Sequence, residues 1–397
     1  MNKEHKSKIS ESTKSKKAEG MKISLVKGFK DFTDEEAVKR TEIKKILVET
    51  FEKYGFTPAE TPIIEYEEFV KENNPNDEAV SDIFKLKDKG KRKLALRYEF
   101  TFQLKRLMKN KKLPYKRYQI GEVFRDEPTS VNRFRQFTQC DIDTIGSTIK
   151  DEAEILAITS EVLKELGIEF TILINNRKLL NEVLDDLNIK KNKEKILREL
   201  DKIDKQGPQK TQDNLYKLGA KELLKVINQG EKYFEKFDSY SEIIGLIEYC
   251  KVYGIKVLFS PTIVRGLSYY NGSVFEIKAK NVKETLVGGG SYKFEGIQCT
   301  GISLGLDRLS IISKLKKELE KYLIVSLEQD RVAINLAQKL RKKNKFVSVY
   351  YGKPSKALDY ANSYKINKVI FVGEKEVKKN KFMIKDMESG KETTLKL

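Results

Sequence analysis

Apolar side chains recur at helical spacing from about Glu35 to Tyr54, where Val38, Ile43, Ile46, Leu47 and Phe51 share a face and Gly55 supplies a C-terminal stop. Phe56 to Glu65 then reads as one extended segment, whose prolines Pro58 and Pro62 suit an edge or interface strand. Leu94 to Leu96 and Tyr118 to Phe124 read as strands, with Phe100 to Met108 helical between them. Asp151 to Leu166 has the period of an amphipathic helix, and Phe170 to Ile174 reads as a strand. From about 177 to 255, Lys, Glu, Leu and Ile recur at helical spacing without a chemical motif, which predicts a helical insertion with solvated charged faces. From Tyr322 onward the pattern alternates: strand to Leu327, helix Asp330 to Lys343, strand Phe346 to Tyr351, helix Ser355 to Tyr364, strand Lys368 to Val372. A hairpin of Phe382 to Asp386 and Glu392 to Leu395 closes about Ser389-Gly390. Such alternation predicts a small sheet with helices on its faces.

At 397 residues the chain is long enough for two or three domains and at least one large core. With 39% hydrophobic and 35% charged residues, it reads as a globular protein with a heavily ionised surface. No apolar run approaches the roughly 20 residues of a membrane span, and none near the start resembles a signal-peptide core, so a cytoplasmic location is expected. Residues 1–20 are Lys, Ser and Glu with almost no apolar side chains, and are expected to be a disordered basic tail. Cys140, Cys250 and Cys299 are widely spaced and odd in number, which suggests neither a disulfide framework nor a zinc site. The single histidine, His5, lies in the tail, leaving the folded part without a His base, a Ser-His-Asp triad or a His metal ligand. Chemistry then falls to arginines, carboxylates and tyrosines. That favours phosphoryl or nucleotidyl transfer, where positioning and charge neutralisation outweigh proton abstraction. The net charge of +19 fits a polyanionic partner, although a lysine-rich composition alone explains part of it. Its distribution says more: from Lys321 to Leu397 there are 18 basic and 8 acidic residues, a compact basic module suited to nucleic acid.

Four segments carry chemistry. In Ile263 to Glu276, Arg265 and the pair Tyr269 and Tyr270 lie between stretches that read as buried strand. A semi-buried arginine needs an anion to offset its desolvation, and either an Arg-Glu pair beneath a sheet or an anionic substrate meets that need. Gly121 to Asp143 reads as strand, charged loop and returning strand, bringing Arg125, Glu127, Arg133, Gln139 and Asp143 onto one hairpin. Alternation along the returning strand puts Arg135, Phe137, Gln139, Asp141 and Asp143 on one face. Cations, an aromatic plane and carboxylates together can grip a triphosphate, stack an adenine and bind an ammonium group. Glu99 and Thr101 stand where a strand leads into a helix, a place where an acid and a hydroxyl often serve only as a cap. Gly301 to Leu309 is a glycine-punctuated strand running into a helix whose first turn holds Arg308, which allows close approach of an anion. No Gly-x-x-x-x-Gly-Lys-Ser/Thr run occurs, which disfavours a P-loop enzyme.

Arg265-Gly266-Leu267-Ser268-Tyr269-Tyr270 resembles the arginine-glycine-leucine-x-tyrosine-tyrosine signature of histidyl-tRNA synthetases, with Ser268 in place of the commoner aspartate. The helix and strand of Glu35 to Glu65 resemble motif 1 of class II aminoacyl-tRNA synthetases. Phe124-Arg125-Asp126-Glu127 and its hairpin resemble motif 2 in an archaeal or eukaryotic form, and Gly301 to Leu309 resembles motif 3. Leu96 to Thr101 is similar to the family's leucine-arginine-proline-glutamate-glycine-threonine segment, with Tyr98 and Phe100 at the proline and glycine positions. Val287 to Tyr292 is similar to its glycine-glycine-arginine-tyrosine-aspartate element, with Ser291 and Lys293 at the arginine and aspartate positions. Val369 to Val377 and the Lys385-Asp386 hairpin resemble the anticodon-binding domain of some class II synthetases.

The resemblance implies an α+β catalytic domain on an antiparallel sheet (class II synthetase-like), a helical insertion, and a C-terminal α/β anticodon-binding domain. It places the first catalytic part with motifs 1 and 2 at 21–175, the insertion at 176–256, the second part with the signature and motif 3 at 257–318, and the anticodon-binding domain at 319–397. It implies a histidine–tRNA ligase, homodimeric through motif 1, acting on L-histidine, ATP with Mg2+, and tRNA(His), with no membrane partner and no protein-held metal. Arg125 and Arg265 would be catalytic. Glu99, Phe100, Thr101, Arg125, Gln139, Asp143, Arg265, Tyr269, Tyr270 and Tyr292 would bind histidine, and Arg125, Glu127, Arg133, Phe137 and Arg308 would bind ATP. The alternative is a catalytically silent paralogue, such as the regulatory subunit of ATP phosphoribosyltransferase or an uncharged-tRNA sensor. Such paralogues lose pocket residues, whereas Glu99, Arg125, Gln139, Arg265 and Arg308 are all present here.

Overall fold

The computed structural model describes residues 24–72, 82–130, 133–265, 269–282, 284–315 and 319–394. The tail of residues 1–20, the signature positions Gly266, Leu267 and Ser268, and Leu395 lie outside the described residues. The chain forms two compact units that divide between Leu315 and Lys316.

The first unit opens with the helix Asp34–Lys53. Asp34, Glu35 and Glu36 in its first turn suit the positive end of the helix dipole. Arg40, Ile43, Leu47, Thr50 and Phe51 form its buried stripe. Residues 56–65, expected as one extended segment, instead give two short strands in different sheets, β1 (Thr57–Pro58) and β2 (Ile64–Tyr66). Pro58 and Pro62 withhold the N–H groups that one continuous ladder would need. With β3 (Lys85–Lys87) and β4 (Lys93–Leu96), β2 forms a small sheet of order β2-β4-β3.

The main sheet is built from β5 (Tyr115–Phe124), β6 (Gln136–Ile145), β7 (Phe170–Asn176), β8 (Val257–Phe259), β9 (Tyr270–Ala279), β10 (Thr285–Phe294) and β11 (Ile297–Gly305), together with β1. Its order is β1-β5-β6-β11-β10-β9-β7-β8. The six inner strands are antiparallel, and the short edge strands β1 and β8 pair parallel, so the sheet as a whole is mixed. The opening helix and the helix Ile149–Glu165, which starts at a Thr148–Asp151 capping box, share a core with Cys140, Ile142, Ile302 and Leu304. Alternation therefore turns residues 137, 139, 141 and 143 of β6 to the other face. Between β7 and β8 the regular elements are helices, with a 3-10 turn at Glu231–Lys236, and Leu179, Leu184, Leu197, Leu215 and Leu246 join the core under the sheet.

The helix expected over Phe100 to Met108 shrinks to Leu104–Leu107. Tyr98, Phe100, Phe102 and Leu104 are all buried at a spacing of two. Tyr98 stacks on Phe102 with centroids 5.8 Å apart, while Phe100 lies under the Arg97 guanidinium at 4.8 Å. Aromatic burial on both sides of the chain overrides the helical preference.

In the second unit β12 (Lys321–Ser326), β13 (Phe346–Tyr351), β14 (Lys368–Val372), β15 (Met383–Asp386) and β16 (Glu392–Thr394) form a sheet of order β13-β12-β14-β15-β16. The first three are parallel and the last two antiparallel, with the helices Asp330–Lys342 and Pro354–Ser363 as crossovers. Alternation along β12 serves both faces: Ile324 packs with Leu336 and Ile370, and Leu323 and Val325 pack with Ala357 and Ala361.

In the first unit, a buried network ties the opening helix to β6 and to the helix that follows β11. Arg40 Nη1 donates to Asp307 Oδ1 at 2.8 Å and its Nη2 to Thr138 Oγ1 at 2.8 Å, while Asp307 Oδ2 accepts from the Thr138 amide at 2.9 Å. Arg40→Met would leave Asp307 buried without its cation, and should cost about 3–5 kcal/mol in urea unfolding. Arg40→Met/Asp307→Asn, which removes the orphaned charge but keeps an acceptor for Thr138, should cost less. Equal costs would rule out the charge pair as the cause.

Candidate active site

The β5–β6 hairpin forms one wall. Arg125 Nε donates to the Tyr98 carbonyl at 3.1 Å, its Nη2 to Gln139 Oε1 at 3.5 Å, and its guanidinium carbon lies 5.2 Å from the centre of the Phe137 ring. Arg133 is ion-paired with Glu127 across the loop. The cations and the aromatic plane of this hairpin thus converge, with Arg133 about half exposed and Glu127 largely covered.

Arg265 enters from the segment preceding β9. Its φ of +58° is a strained value for a residue with a side chain. Arg265 Nη1 lies 3.2 Å from Glu276 Oε1, and its Nε has no hydrogen-bond partner among the described residues. A protein Arg–Glu pair therefore exists, and the guanidinium keeps donor capacity beyond it. Thr285 Oγ1 also donates to Glu276, and the Thr285 carbonyl accepts from Arg308 Nη1 at 2.5 Å, so β10 holds both arginines at one end. Burial lowers the Arg308 pKa, and the charges of Arg133, Arg125 and Arg265 push the same way, against Glu284. Three guanidinium groups therefore bear on that of Arg308, a local field that favours a polyanion.

Three successive glycines admit close neighbours, and the first of them makes the lay of Arg265 possible. Gly288, Gly289 and Gly290 form mid-strand β10, where glycine is otherwise unfavourable. A Cβ on Gly288 would stand 2.5 Å from the Arg265 guanidinium. One on Gly289 would stand 2.2 Å from the Gly301 carbonyl oxygen, and one on Gly290 2.5 Å from the Ser273 carbonyl oxygen. The run Val287 to Tyr292 is accordingly strand, with side chains omitted where neighbours press closest.

Beyond the glycines lies a tyrosine cluster. Tyr269 sits 4.7 Å from Tyr270 and 5.5 Å from Tyr292, ring centre to ring centre. Tyr292 donates to Asp143 Oδ1 at 2.6 Å, and Arg117 Nη2 lies 2.7 Å from Asp143 Oδ2. Arg117 also reaches the Phe100 carbonyl, so Phe100 contributes its backbone here while its ring is fully buried. Glu99 is buried near Tyr269 and Tyr270, whose pKa values are raised by burial, with the Glu99 charge adding to the rise. Thr101 is half-buried at the turn before Leu104. Ser291 faces the other way and donates to the buried Glu152, so the position where the resemblance expects arginine lies off this pocket. Lys293 is exposed, and Ser268 lies outside the described residues.

Arg117 carries no motif. The hairpin register could have found it, because in β5–β6 it stands directly opposite Asp143. Asp141 lies on the same face, with Oδ2 accepting from Gln139 Nε2 at 2.8 Å. Burial, with Asp143 alongside, pushes its carboxyl up to about 6, against the pull of Arg117.

Comparison with known proteins adds to this geometry. The sequence matches the family model for histidyl-tRNA synthetase over residues 28–309 and that for an anticodon binding domain over residues 312–397. It is 34% identical over 413 residues to histidine--tRNA ligase 1 of Bacillus cereus, covering 94% of this chain and 97% of that protein. It is also 34% identical over 415 residues to histidine--tRNA ligase of Wolinella succinogenes, covering 91% and 93%. Among solved structures, histidyl-tRNA synthetase from Nostoc sp. PCC 7120 superposes with a TM-score of 0.82 at 24% identity, covering 94% of this chain and 97% of that one. A protein from Bacillus halodurans described as an ATP phosphoribosyltransferase regulatory subunit/histidyl-tRNA synthetase gives 0.76 at 23% identity, covering 88% and 98%. At these identities the solved structures speak for the fold alone.

Two outcomes follow from the packing and charge of the site. Gly289→Ala would press on β11 backbone that cannot swing away, and should destabilise the protein by more than about 3 kcal/mol. Gly288→Ala meets only the flexible end of Arg265 and should cost about 1–3 kcal/mol, both read by urea unfolding. Because the folded pKa of Asp141 is raised, its ionisation opposes folding at neutral pH. Wild type should lose stability relative to Asp141→Asn as pH rises from about 4 to about 6, by on the order of 3 kcal/mol, with no further change above that window. A difference independent of pH would exclude this carboxyl as the titrating group.

Proposed function

The chain belongs to the histidyl-tRNA synthetase family, and from that premise we propose which residues carry its chemistry. It is an aminoacyl-tRNA ligase that activates histidine with ATP and transfers it to tRNA. What supports the assignment of roles is that the charges of Arg125, Arg133 and Arg265 all reach Arg308, with Arg265 and Arg308 both held through Thr285 and its neighbour Glu276, beside buried tyrosines and acids.

In our reading, Arg125 and Arg265 flank the α-phosphate of ATP, and Arg133 and Arg308 meet the outer phosphates. Phe137 stacks on adenine, and Glu127 accepts from its amino group. Glu99, Thr101 and Gln139 hold the α-ammonium of histidine. Tyr269, Tyr270, Tyr292 and Asp143 surround the imidazole, where buried hydroxyls leave an unmatched side chain unpaired. The histidine carboxylate, already ionised, attacks the α-phosphorus as pyrophosphate leaves, so no protein base is required. Fixed cations stabilise the charge that develops. The 3′ end of tRNA then displaces AMP, with the basic second unit meeting the anticodon. Magnesium would arrive on the ATP phosphates as part of that substrate. Among the described residues no group of three His, Cys, Asp or Glu side chains could hold a metal ion, and no step is assigned to one.

We further place the enzyme in the cytoplasm as a homodimer formed through the motif 1 segment, whose Ile63, Ile64 and Tyr66 are exposed. Among the described residues, no helix is long and apolar enough to cross a membrane. A catalytically silent paralogue is not favoured, since the pocket side chains are in place and the second unit matches an anticodon binding domain.

Exchange of labelled pyrophosphate into ATP, run with each of the twenty amino acids, should proceed with histidine alone. Arg265→Ala should lower its rate by roughly 10²–10³, the loss typical of one aimed donor. Exchange with another amino acid, or with none in folded protein, would overturn the reading.

A further inference from the structure

Gln139 lies between opposite charges. Its Nε2 donates to Asp141 Oδ2 at 2.8 Å, and Arg125 Nη2 donates to its Oε1 at 3.5 Å. An ionised carboxylate only accepts and a guanidinium only donates, so a single orientation of the amide satisfies both neighbours. The flipped amide would set NH2 against guanidinium and oxygen against oxygen. Gln139 and Asp141 are only 6% and 5% exposed, and at that depth water does not relieve a mispairing. Asp141 is itself fixed by register, opposite Gln119 of β5 and Ser303 of β11, and the Ser303 hydroxyl also bears on its carboxyl. A carboxylate desolvated at this depth is costly even when hydrogen-bonded, so its place in the sheet calls for a gain elsewhere.

We propose that Asp141 is a positioning residue for amino-acid recognition: it takes up the NH2 of Gln139 and thereby presents the Gln139 carbonyl oxygen, beside Arg125, to the α-ammonium of the substrate. This rests on the reading above, in which Gln139 holds the α-ammonium of histidine, and adds that Arg125, which would bind histidine as well as ATP, meets the histidine carboxylate. The ammonium of an α-amino acid sits one carbon from its carboxylate, so an acceptor next to the arginine that grips the carboxylate meets the ammonium. Without Asp141 only the long 3.5 Å contact with Arg125 orients the amide, which can then turn its own N–H groups toward a cation.

The test is calorimetric binding of L-histidine and of 3-(imidazol-4-yl)propionate, which lacks the amine. Asp141→Ala should weaken histidine binding about tenfold and leave the deamino acid within about threefold. Asp141→Asn, which keeps an acceptor oxygen, should stay within about threefold for both. Gln139→Glu needs no orienting, since both its oxygens accept, but it repels Asp141. On that background Asp141→Asn should strengthen histidine binding about tenfold, so the effect of neutralising Asp141 depends on its neighbour. This comparison stands even if the alanine variant does not fold. The assignment is overturned if Asp141→Ala weakens both ligands alike, or if Asp141→Asn fails to strengthen binding in the Gln139→Glu protein. A wild type that binds no histidine overturns the functional reading along with it; the other failures, with histidine bound by wild type, overturn this assignment alone.

Discussion

The buried pairing of Arg40 with Asp307, closed by Thr138, connects segments far apart in sequence and sets the frame in which the site forms. Thr138 is held on the helix side of β6, which forces Phe137 and Gln139 to the opposite side. Asp307 is held at the start of the helix that carries Arg308. One charge pair therefore positions an aromatic ring, an amide and a guanidinium without touching any of them on the pocket side. Desolvating two ions is costly, and three hydrogen bonds of 2.8–2.9 Å are what make the arrangement tenable.

The main sheet divides its two faces by chemistry. Against the helices it is mainly aliphatic, with Ile142, Ile302 and Leu304 in the core beside the Arg40–Asp307–Thr138 network. On the other side it presents Arg117, Gln139, Asp141, Asp143 and Tyr292, nearly all buried and joined by short hydrogen bonds. Polar groups fixed at such depth do not reorganise when a charged substrate arrives, which is where electrostatic stabilisation is most effective. The glycines of β10 belong to the same design. They remove side chains where Arg265 lies on the strand and where β11 comes closest.

Much of the fold was legible along the chain. The opening helix, the β5–β6 hairpin and the alternating second unit have strong periods, and their packing agrees with those periods. Legibility failed where tertiary packing competes with local preference. Phe100 and Phe102 fell in a segment that read as helix, yet aromatic burial there leaves a single helical turn after them. Residues 56–65 looked like one strand, and their prolines divided it between two sheets.

For the site, the sequence by itself determined which residue types are available and roughly which strand face bears them. Arginines, tyrosines and acids in place of histidine or paired cysteines, at spacings resembling a known family, limit the chemistry because a side chain's charge and hydrogen-bonding capacity are intrinsic to it. Register and neighbours were decided only by the tertiary structure. It set Arg117 opposite Asp143, turned Ser291 toward Glu152 and away from the pocket, and placed the Gln139 amide between Asp141 and Arg125. The reason is physical: the strength and sense of an electrostatic contact depend on distance and burial, and both arise only when distant strands pair and exclude water.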